Sequence, residues 1–224
     1  MAARVFAYSA AVVMAGTVLS RVLGLARQQV FAIEFGTSGQ MDAFQTAFRV
    51  PDTIYNIVAG GLIGSSLIPV FAGYLATNRR DEAARVASSV LNMMLILAGG
   101  LAVIVEILAP QIVGALVASY PADEQRLIVE LMRILLIQPI LLGGAGVMMG
   151  CLNAYQHFLL PTLAPILYNL SIIGAAVVLG PSMGVRGLAI GVVMGAALQV
   201  LAQWPIMRRY GFRYSLEVDA RNPG

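Results

Sequence analysis

Continuous apolar segments of about 20 residues or more recur along the whole of this 224-residue chain. Segments of that length cross the hydrocarbon core of a bilayer as helices, because each helical residue advances about 1.5 Å. Only 11% of the residues are charged and the mean hydropathy is +0.83, whereas soluble domains carry about 25% charged residues. The apolar runs are continuous rather than alternating, which predicts an all-α membrane protein and favours a helical bundle over a barrel.

Turn-forming residues divide the chain into six predicted spans. Glycine, proline, asparagine and serine cluster at the breaks, as they do in turns. The predicted spans cover about 6–35, 41–76, 84–118, 123–152, 160–179 and 185–207. Together they predict one six-helix transmembrane bundle over residues 1–213, followed by a polar linker over 214–224. The apolar start is interpreted as a retained span rather than a signal peptide, since no convincing cleavage site follows it.

The arginines of the predicted loops are distributed unequally between the two sides of the bundle. One side carries Arg4, Arg79, Arg80, Arg85, Arg208, Arg209 and Arg213, and the other carries only Arg126 and Arg186. Positively charged loops stay in the cytoplasm, so both ends of the chain are predicted to be cytoplasmic. The net charge of +3 is dispersed and gives no reason to expect nucleic-acid binding.

The chain has one cysteine, Cys151, and one histidine, His157. A single cysteine excludes an intramolecular disulfide, and these two residues lack the further ligands that a zinc site requires. No metal and no cofactor are therefore predicted.

Two arginines, Arg21 and Arg27, lie within the first predicted span. If this helix enters the bilayer near Phe6, Arg21 lies about 22 Å along it and Arg27 about 9 Å further. An arginine that faces lipid at this depth costs about 2.5–3.5 kcal/mol, so both are predicted to face water, protein or a ligand. They are about 120° apart on a straight helix. Either the helix bends near Gly24, or the two arginines flank a wide cavity from different angles.

A polar stripe runs along the second predicted span. Its members recur at helical spacing and share one face: Asp42, Gln45, Thr46, Arg49, Asp52, Asn56 and Gly60. A guanidinium forks two hydrogen bonds onto a phosphate or carboxylate, so the surplus of arginine predicts a cavity for an anionic substrate. The predicted binding residues are Arg21, Arg27, Arg49, Asp42, Gln28, Gln45, Asp52 and Asn56. The alternative is that the arginines pair with Asp42 and Asp52 and only brace the bundle.

Charged residues also lie near the predicted outer surface. Arg126, Glu130 and Arg133 are spaced to share one helix face, which predicts a ladder of ion pairs along that helix. Glu106 is interpreted as a solvated acid near the same surface.

Two blocks of sequence resemble the MviN/MurJ family of lipid II flippases, within the larger multidrug/oligosaccharidyl-lipid/polysaccharide exporter group. The first block, SRVLGLARQQVFAIEFGTSGQMDAFQTAFRVP, begins at Ser20, and the second, GCLNAYQHFLLPTLAPILYNLSIIG, begins at Gly150. The last predicted span resembles the sixth helix of the family. The likeness covers essentially the whole chain.

The resemblance implies one N-terminal, six-helix lobe of a two-lobe transporter with about fourteen helices and alternating access. It implies a bacterial cytoplasmic-membrane protein that carries undecaprenyl-pyrophosphate-linked peptidoglycan precursor from the inner to the outer leaflet. In this interpretation Arg21, Arg27 and Arg49 bind the pyrophosphate, and Asp42 orients an arginine or acts in gating. The implied partners are the lipid-linked precursor, membrane lipids and a second transmembrane lobe in cis or in trans.

Four positions depart from the family pattern. Gln28 stands where an aspartate is frequent, Tyr55 and Asn56 replace an arginine pair, and Gly60 replaces a glutamate. These losses of charge leave open a flippase or exporter of another polyprenyl-linked saccharide or a drug. A non-transporting scaffold that binds lipid-linked glycans is a further hypothesis. An intramembrane enzyme is disfavoured because no metal motif or activated nucleophile is found, so no catalytic residue is predicted.

Overall fold

The computed structural model describes residues 2–36, 38–62 and 68–216, and the side chains of these residues except 2–10, 61 and 62. The part so described is helical with short connections and contains no strand. Its helices are α1 (Ala2–Phe35), α2 (Gly39–Leu62), α3 (Ile68–Ala76), α4 (Arg80–Leu116), α5 (Ala122–Leu135), α6 (Ile137–Ala154), α7 (Leu159–Val178), α8 (Gly180–Met183) and α9 (Val185–Arg209). The predicted all-α class is confirmed.

Four helical segments in the described residues are long and apolar enough to cross a membrane. They are Arg80–Leu116, Ala122–Ala154, Leu159–Val178 and Val185–Arg209. A multi-pass membrane protein is therefore confirmed. The first two predicted spans correspond to α1 and to α2 with α3, and the count of six spans stays a prediction.

Two predicted spans consist of more than one helix. The span predicted at 41–76 contains α2 and α3, and residues 63–67 between them lie outside the described part. The span predicted at 123–152 contains α5 and α6, which meet at Leu136. Pro139 has no N–H to donate to the carbonyl of Leu135, so the helical hydrogen-bond ladder is interrupted at this point.

Helix α7 packs against both α1 and α9, because small residues let these two neighbours approach it closely. A β carbon built on Gly191 of α9 would lie 2.3 Å from Cβ of Ala175, and one on Gly16 of α1 would lie 1.7 Å from Cγ2 of Thr162. Ser171 of α7 also donates a hydrogen bond to the carbonyl of Gly191, at 3.0 Å. Close contact of this kind is a common way to join helices in membranes, and it fixes α1 and α9 against α7.

The buried side chains form two apolar clusters. One joins the second half of α1 and the first half of α2 to α5, α7 and α9, and includes Phe31, Phe44 and Leu188. The other joins α3, α4, α6 and α9, and includes Phe71 and Met94. The first cluster supports the candidate site described below.

The acidic and basic side chains of α5 pair with other helices. Glu130 accepts two hydrogen bonds from Arg186 of α9, at 2.6 and 2.8 Å, and Arg133 lies 3.0 Å from Glu106 of α4. The predicted ladder along α5 is therefore wrong, and Glu106 is an ion-pair partner rather than a solitary acid. Arg186 of α9 offers Glu130 a bidentate guanidinium, and Glu106 of α4 offers Arg133 a carboxylate. The predicted contact between Arg126 and Glu130 along α5 does not match these pairs.

The segment that follows α9 is attached to α4 by hydrogen bonds. The Tyr214 hydroxyl donates to Oδ1 of Asn92 at 2.6 Å, and Nδ2 of Asn92 donates to the carbonyl of Ser215 at 2.9 Å. The backbone N–H of Ser215 donates to Oγ of Ser88 at 3.2 Å. The start of the predicted linker is therefore held on the bundle, and residues 217–224 lie outside the described part.

Substitution of Gly191 by alanine is expected to destabilise the protein by about 1–3 kcal/mol, because the new methyl group would overlap the β carbon of Ala175. Gly174→Ala on α7 is the matched control, since a β carbon there meets no atom within 4 Å, and its effect should stay within about 0.5 kcal/mol. Reversible unfolding in detergent measures both. Equal stability of the two variants would contradict the close approach of α7 and α9.

Candidate functional site

A cavity of about 310 Å³ lies between the second half of α1, the first half of α2 and the middle of α7 and α9. Its polar lining comes from α1 and α2 alone: Arg27, Gln28, Gln45 and Arg49. Its apolar lining comes from all four helices: Phe31, Met41, Phe44, Phe48, Ile172 and Val192. Two cationic side chains therefore line a cavity whose remaining surface is largely apolar and aromatic.

Arg27 is held in the cavity by an aromatic side chain. Its Cζ lies 5.9 Å from the ring centroid of Phe31, one helical turn further along α1, a distance at which a cation is attracted to the face of a ring. Phe31 in turn makes an edge contact with Phe44 of α2, with centroids 6.0 Å apart. The Nε of Arg27 is buried and has no hydrogen-bond partner among the described residues. The ring positions the guanidinium without neutralising its charge.

The second arginine is on the polar stripe of α2. Arg49 and Gln45 are both exposed and lie one turn apart on the face that lines the cavity. Asp42 is also exposed, but it lies about 10 Å from Arg49 along the helix axis, in the first turn of α2. A carboxylate in that position favours the helix N-terminus, and Asp42 does not line the cavity.

The acids near the cavity do not pair with its arginines in the described residues. The ion pairs of this part of the chain are Arg79–Glu82, Glu106–Arg133 and Glu130–Arg186. Asp52 instead accepts a hydrogen bond from Nδ2 of Asn56 at 3.1 Å. The sequence left open the alternative that the arginines pair with Asp42 and Asp52. Among the described residues, the structure contains no such pair.

Arg21 lies in a different crevice. This crevice has a volume of about 390 Å³ and is formed by α1, α6 and α7, where Arg21 is accompanied by Ser20, Asn153 and Thr162. Helix α1 is continuous from Ala2 to Phe35, and the 120° that separates Arg21 from Arg27 places them on different sides of it. The structure thus brings together Arg27, Gln28, Gln45 and Arg49, and leaves Arg21, Asp42, Asp52 and Asn56 outside the cavity lining.

The sequence predicted the polar half of the lining and missed the apolar half. Phe31 could have been found, because its spacing of four residues from Arg27 places the two side chains on one helix face. Ile172 and Val192 carry no such signal, since they reach the cavity from helices more than 120 residues away in the chain. Their contribution depends on tertiary packing alone.

Comparison with known proteins identifies relatives over most of the chain. Residues 31–224 match the protein family described as "Lipid II flippase MurJ". The chain is 32% identical over 197 residues to the lipid II flippase MurJ of Burkholderia cenocepacia, and 29% identical over 211 residues to the probable lipid II flippase MurJ of Rhizobium meliloti. These alignments cover 86% and 91% of this chain. The same alignments cover 38% and 39% of the two relatives, so the chain spans about two fifths of their length.

A solved structure has a similar fold. It is described as "Lipid II flippase MurJ, inward closed conformation", and it superposes with a TM-score of 0.76 at 23% sequence identity. The superposition covers 92% of this chain and 43% of the solved one. The helical arrangement described above is therefore that of part of the solved protein.

If the cavity contains water, a cysteine introduced at Gln45 should react rapidly with a water-soluble methanethiosulfonate reagent. A cysteine at Ile104 is the matched control, because Ile104 is equally exposed but lies on the apolar surface of α4. The thiolate is the reactive form and does not form in hydrocarbon, so the control should react at least tenfold more slowly. The native Cys151 is buried and should not interfere. Equal rates at the two positions would contradict a wet cavity.

Proposed function

Because the chain belongs to the lipid II flippase MurJ family, as its motifs predicted, we propose that it forms part of a flippase for undecaprenyl-pyrophosphate-linked peptidoglycan precursor. The observation that supports this most directly is the pair of arginines, Arg27 and Arg49, that share a cavity without a carboxylate partner among the described residues. A cation within a membrane-spanning helix that has no acid partner is unfavourable unless an anion or water lies beside it. A pyrophosphate group is such an anion.

The polar and apolar parts of the precursor have different requirements. The headgroup cannot cross bare hydrocarbon, because each buried polar group without a hydrogen bond costs several kcal/mol. The lipid tail has no reason to leave the hydrocarbon. In this proposal Arg27 and Arg49 bind the pyrophosphate through charge-assisted hydrogen bonds, and Gln28 and Gln45 bind neighbouring oxygens. Asp42 orients an arginine or acts in gating.

The size of the cavity favours a contribution from a second part of the protein. A volume of about 310 Å³ is at the lower end of the range that holds a drug-sized ligand, and a disaccharide with a pentapeptide is larger than that. We therefore propose that residues 1–213 form one six-helix lobe, and that a second lobe, in cis or in trans, completes the cavity. In an alternating-access cycle, Arg21 would bind the precursor in a different arrangement of the helices.

A related function is supported by the departures from the family pattern. Tyr55 and Asn56 stand where the resemblance implies two arginines, and Asn56 is engaged with Asp52. Fewer charges favour a substrate with fewer anionic groups, such as another polyprenyl-linked saccharide. Complementation of a strain depleted of its own lipid II flippase separates the two hypotheses: growth supports lipid II as the substrate, and failure despite membrane expression supports the alternative.

Neutral substitution of the cavity arginines is expected to slow transport strongly. In the protein that contains this chain, Arg27→Gln and Arg49→Gln should each lower lipid II translocation into proteoliposomes by about tenfold or more, since each removes a charge-assisted contact. Arg126→Gln is the control, because it removes the same charge from an exposed position outside the cavity. Normal transport by both cavity variants would exclude the proposed role.

The proposed orientation in the bacterial cytoplasmic membrane, with both ends of this chain cytoplasmic, has a separate test. Cysteines at Asp81 and at Ser119 lie at exposed positions on opposite ends of α4. A membrane-impermeant thiol reagent added to whole cells should label Ser119→Cys, and should label Asp81→Cys only after the cells are opened. The reverse pattern would invert the orientation.

A further inference from the structure

The part of α2 that lines the cavity has an apolar side and a polar side. Met41, Phe44 and Phe48 recur at spacings of three and four residues, so they form one apolar row along the helix. Gln45 and Arg49 of the polar stripe lie roughly a quarter of a turn further round the helix, and they line the same cavity. A ligand in this cavity therefore meets an apolar and a polar surface side by side.

Phe48 is the aromatic side chain that has accessible surface left for a ligand. Phe44 is only 4% exposed, and the ring of Phe31 already holds Arg27. Phe48 is partly exposed, and its ring centroid lies 6.1 Å from that of Phe44, with the two ring planes tilted by 40°. Phe44 thus supports Phe48 from within the apolar cluster, and the Phe48 ring borders the cavity.

The two amide side chains of the cavity have no hydrogen-bond partner in the described part of the chain. Gln28 of α1 and Gln45 of α2 are both exposed and both line the cavity. An amide offers an oxygen that accepts and an NH₂ group that donates, so it suits neutral groups such as hydroxyls. Gln28 also stands where the family resemblance implies an aspartate. At this position the chain has therefore exchanged a charge for a neutral donor and acceptor.

An accessible aromatic ring beside two free amides matches a sugar better than a lipid chain. One face of a hexose ring carries C–H groups, whose slightly positive hydrogens are attracted to the negative face of an aromatic ring. The rim of the hexose carries hydroxyl groups, which need donors and acceptors when they leave water. A lipid chain would cover the aromatic ring equally well but would leave both amides without partners.

We infer that Phe48 is a specificity residue that stacks on the sugar ring attached to the pyrophosphate, while Gln28 and Gln45 bind the polar groups at its rim. The inference rests on the proposed function, because it assumes that Arg27 and Arg49 bind the pyrophosphate. Phe48 is next to Arg49 in the chain, and Gln45 lies one helical turn before it. A ring linked directly to the bound phosphate is therefore within reach of both.

Three synthetic ligands test this inference in the protein that contains this chain, purified in detergent. Each ligand is a short prenyl pyrophosphate that carries N-acetylglucosamine, a cyclohexyl group or a methyl group on its second phosphate, so all three have the same charge. The wild type should bind the sugar ester about tenfold more tightly than the methyl ester. It should also prefer the sugar ester to the cyclohexyl ester, because only the sugar satisfies the amides. Calorimetry measures the three affinities.

The contribution of the aromatic ring is isolated by Phe48→Leu, which keeps an apolar side chain but removes the aromatic face. It should weaken binding of the sugar ester by about fivefold and leave the affinity for the methyl ester unchanged. Phe48→Tyr retains the ring and should retain the preference for the sugar. Phe158→Leu is the matched control, because Phe158 is also partly exposed but lies outside the cavity lining. Its affinities should equal those of the wild type.

The contribution of the amides is isolated by Gln45→Leu. This variant should lose much of the preference for the sugar ester over the cyclohexyl ester, and should bind the methyl ester as the wild type does. Unchanged affinity for the methyl ester shows, in each variant, that the cavity is folded.

The outcomes distinguish this inference from the proposed function. Equal affinity of the wild type for the sugar and cyclohexyl esters would overturn the sugar subsite and leave the arginine cavity intact. Equal losses for all three ligands in Phe48→Leu would make Phe48 a structural residue and would also overturn the inference. Equal binding of the methyl ester by the wild type and Arg27→Gln, or no binding by the wild type, would contradict the proposed function and this inference with it.

Discussion

An arginine keeps its proton at any depth in a membrane, so its surroundings have to supply water, an acceptor or an anion. This constraint determines the architecture around Arg27 and Arg49. The aromatic ring of Phe31 fixes the guanidinium of Arg27 but supplies no negative charge, and the nearest acid of α2, Asp52, is engaged with Asn56. The remaining requirement for an anion is the reason for proposing a binding site here rather than a brace.

The rest of the bundle holds the two helices that carry these arginines around one cavity. Close contacts with small residues hold α1 and α9 on α7, and the apolar cluster around Phe31 and Phe44 holds the start of α2 against them. Elsewhere in the bundle, the ion pairs of Glu130 with Arg186 and of Arg133 with Glu106 join α5 to α9 and α4. These pairs are half exposed, and each contributes less than about 1 kcal/mol to the free energy of folding. They therefore matter more for the relative positions of the helices than for the stability of the bundle.

Local patterns in the sequence were sufficient for the elements and for the polar half of the site. Hydropathy predicted the helices, and helical spacing placed Gln45 and Arg49 on one face of α2. The partners of Glu130 and Arg133 could not be predicted this way, because they lie on two other helices, α9 and α4. Whether Arg21 and Arg27 share one cavity could not be predicted either. A bend in α1 at Gly24 would have placed the two arginines on the same side of the helix.

The two helices that carry the cavity arginines are anchored to different neighbours. Helix α1 packs mainly on α7, whereas α2 packs mainly on α5, α4 and α6. A movement of α1 along α7 would therefore change the distance between Arg27 and Arg49 without disturbing the contacts that hold α2. The affinity for a doubly charged ligand would depend on that distance, because opposite charges attract more strongly when they are closer. Under the proposed function, a rigid-body movement of α1 relative to α2 would therefore change how strongly the two arginines together attract an anion.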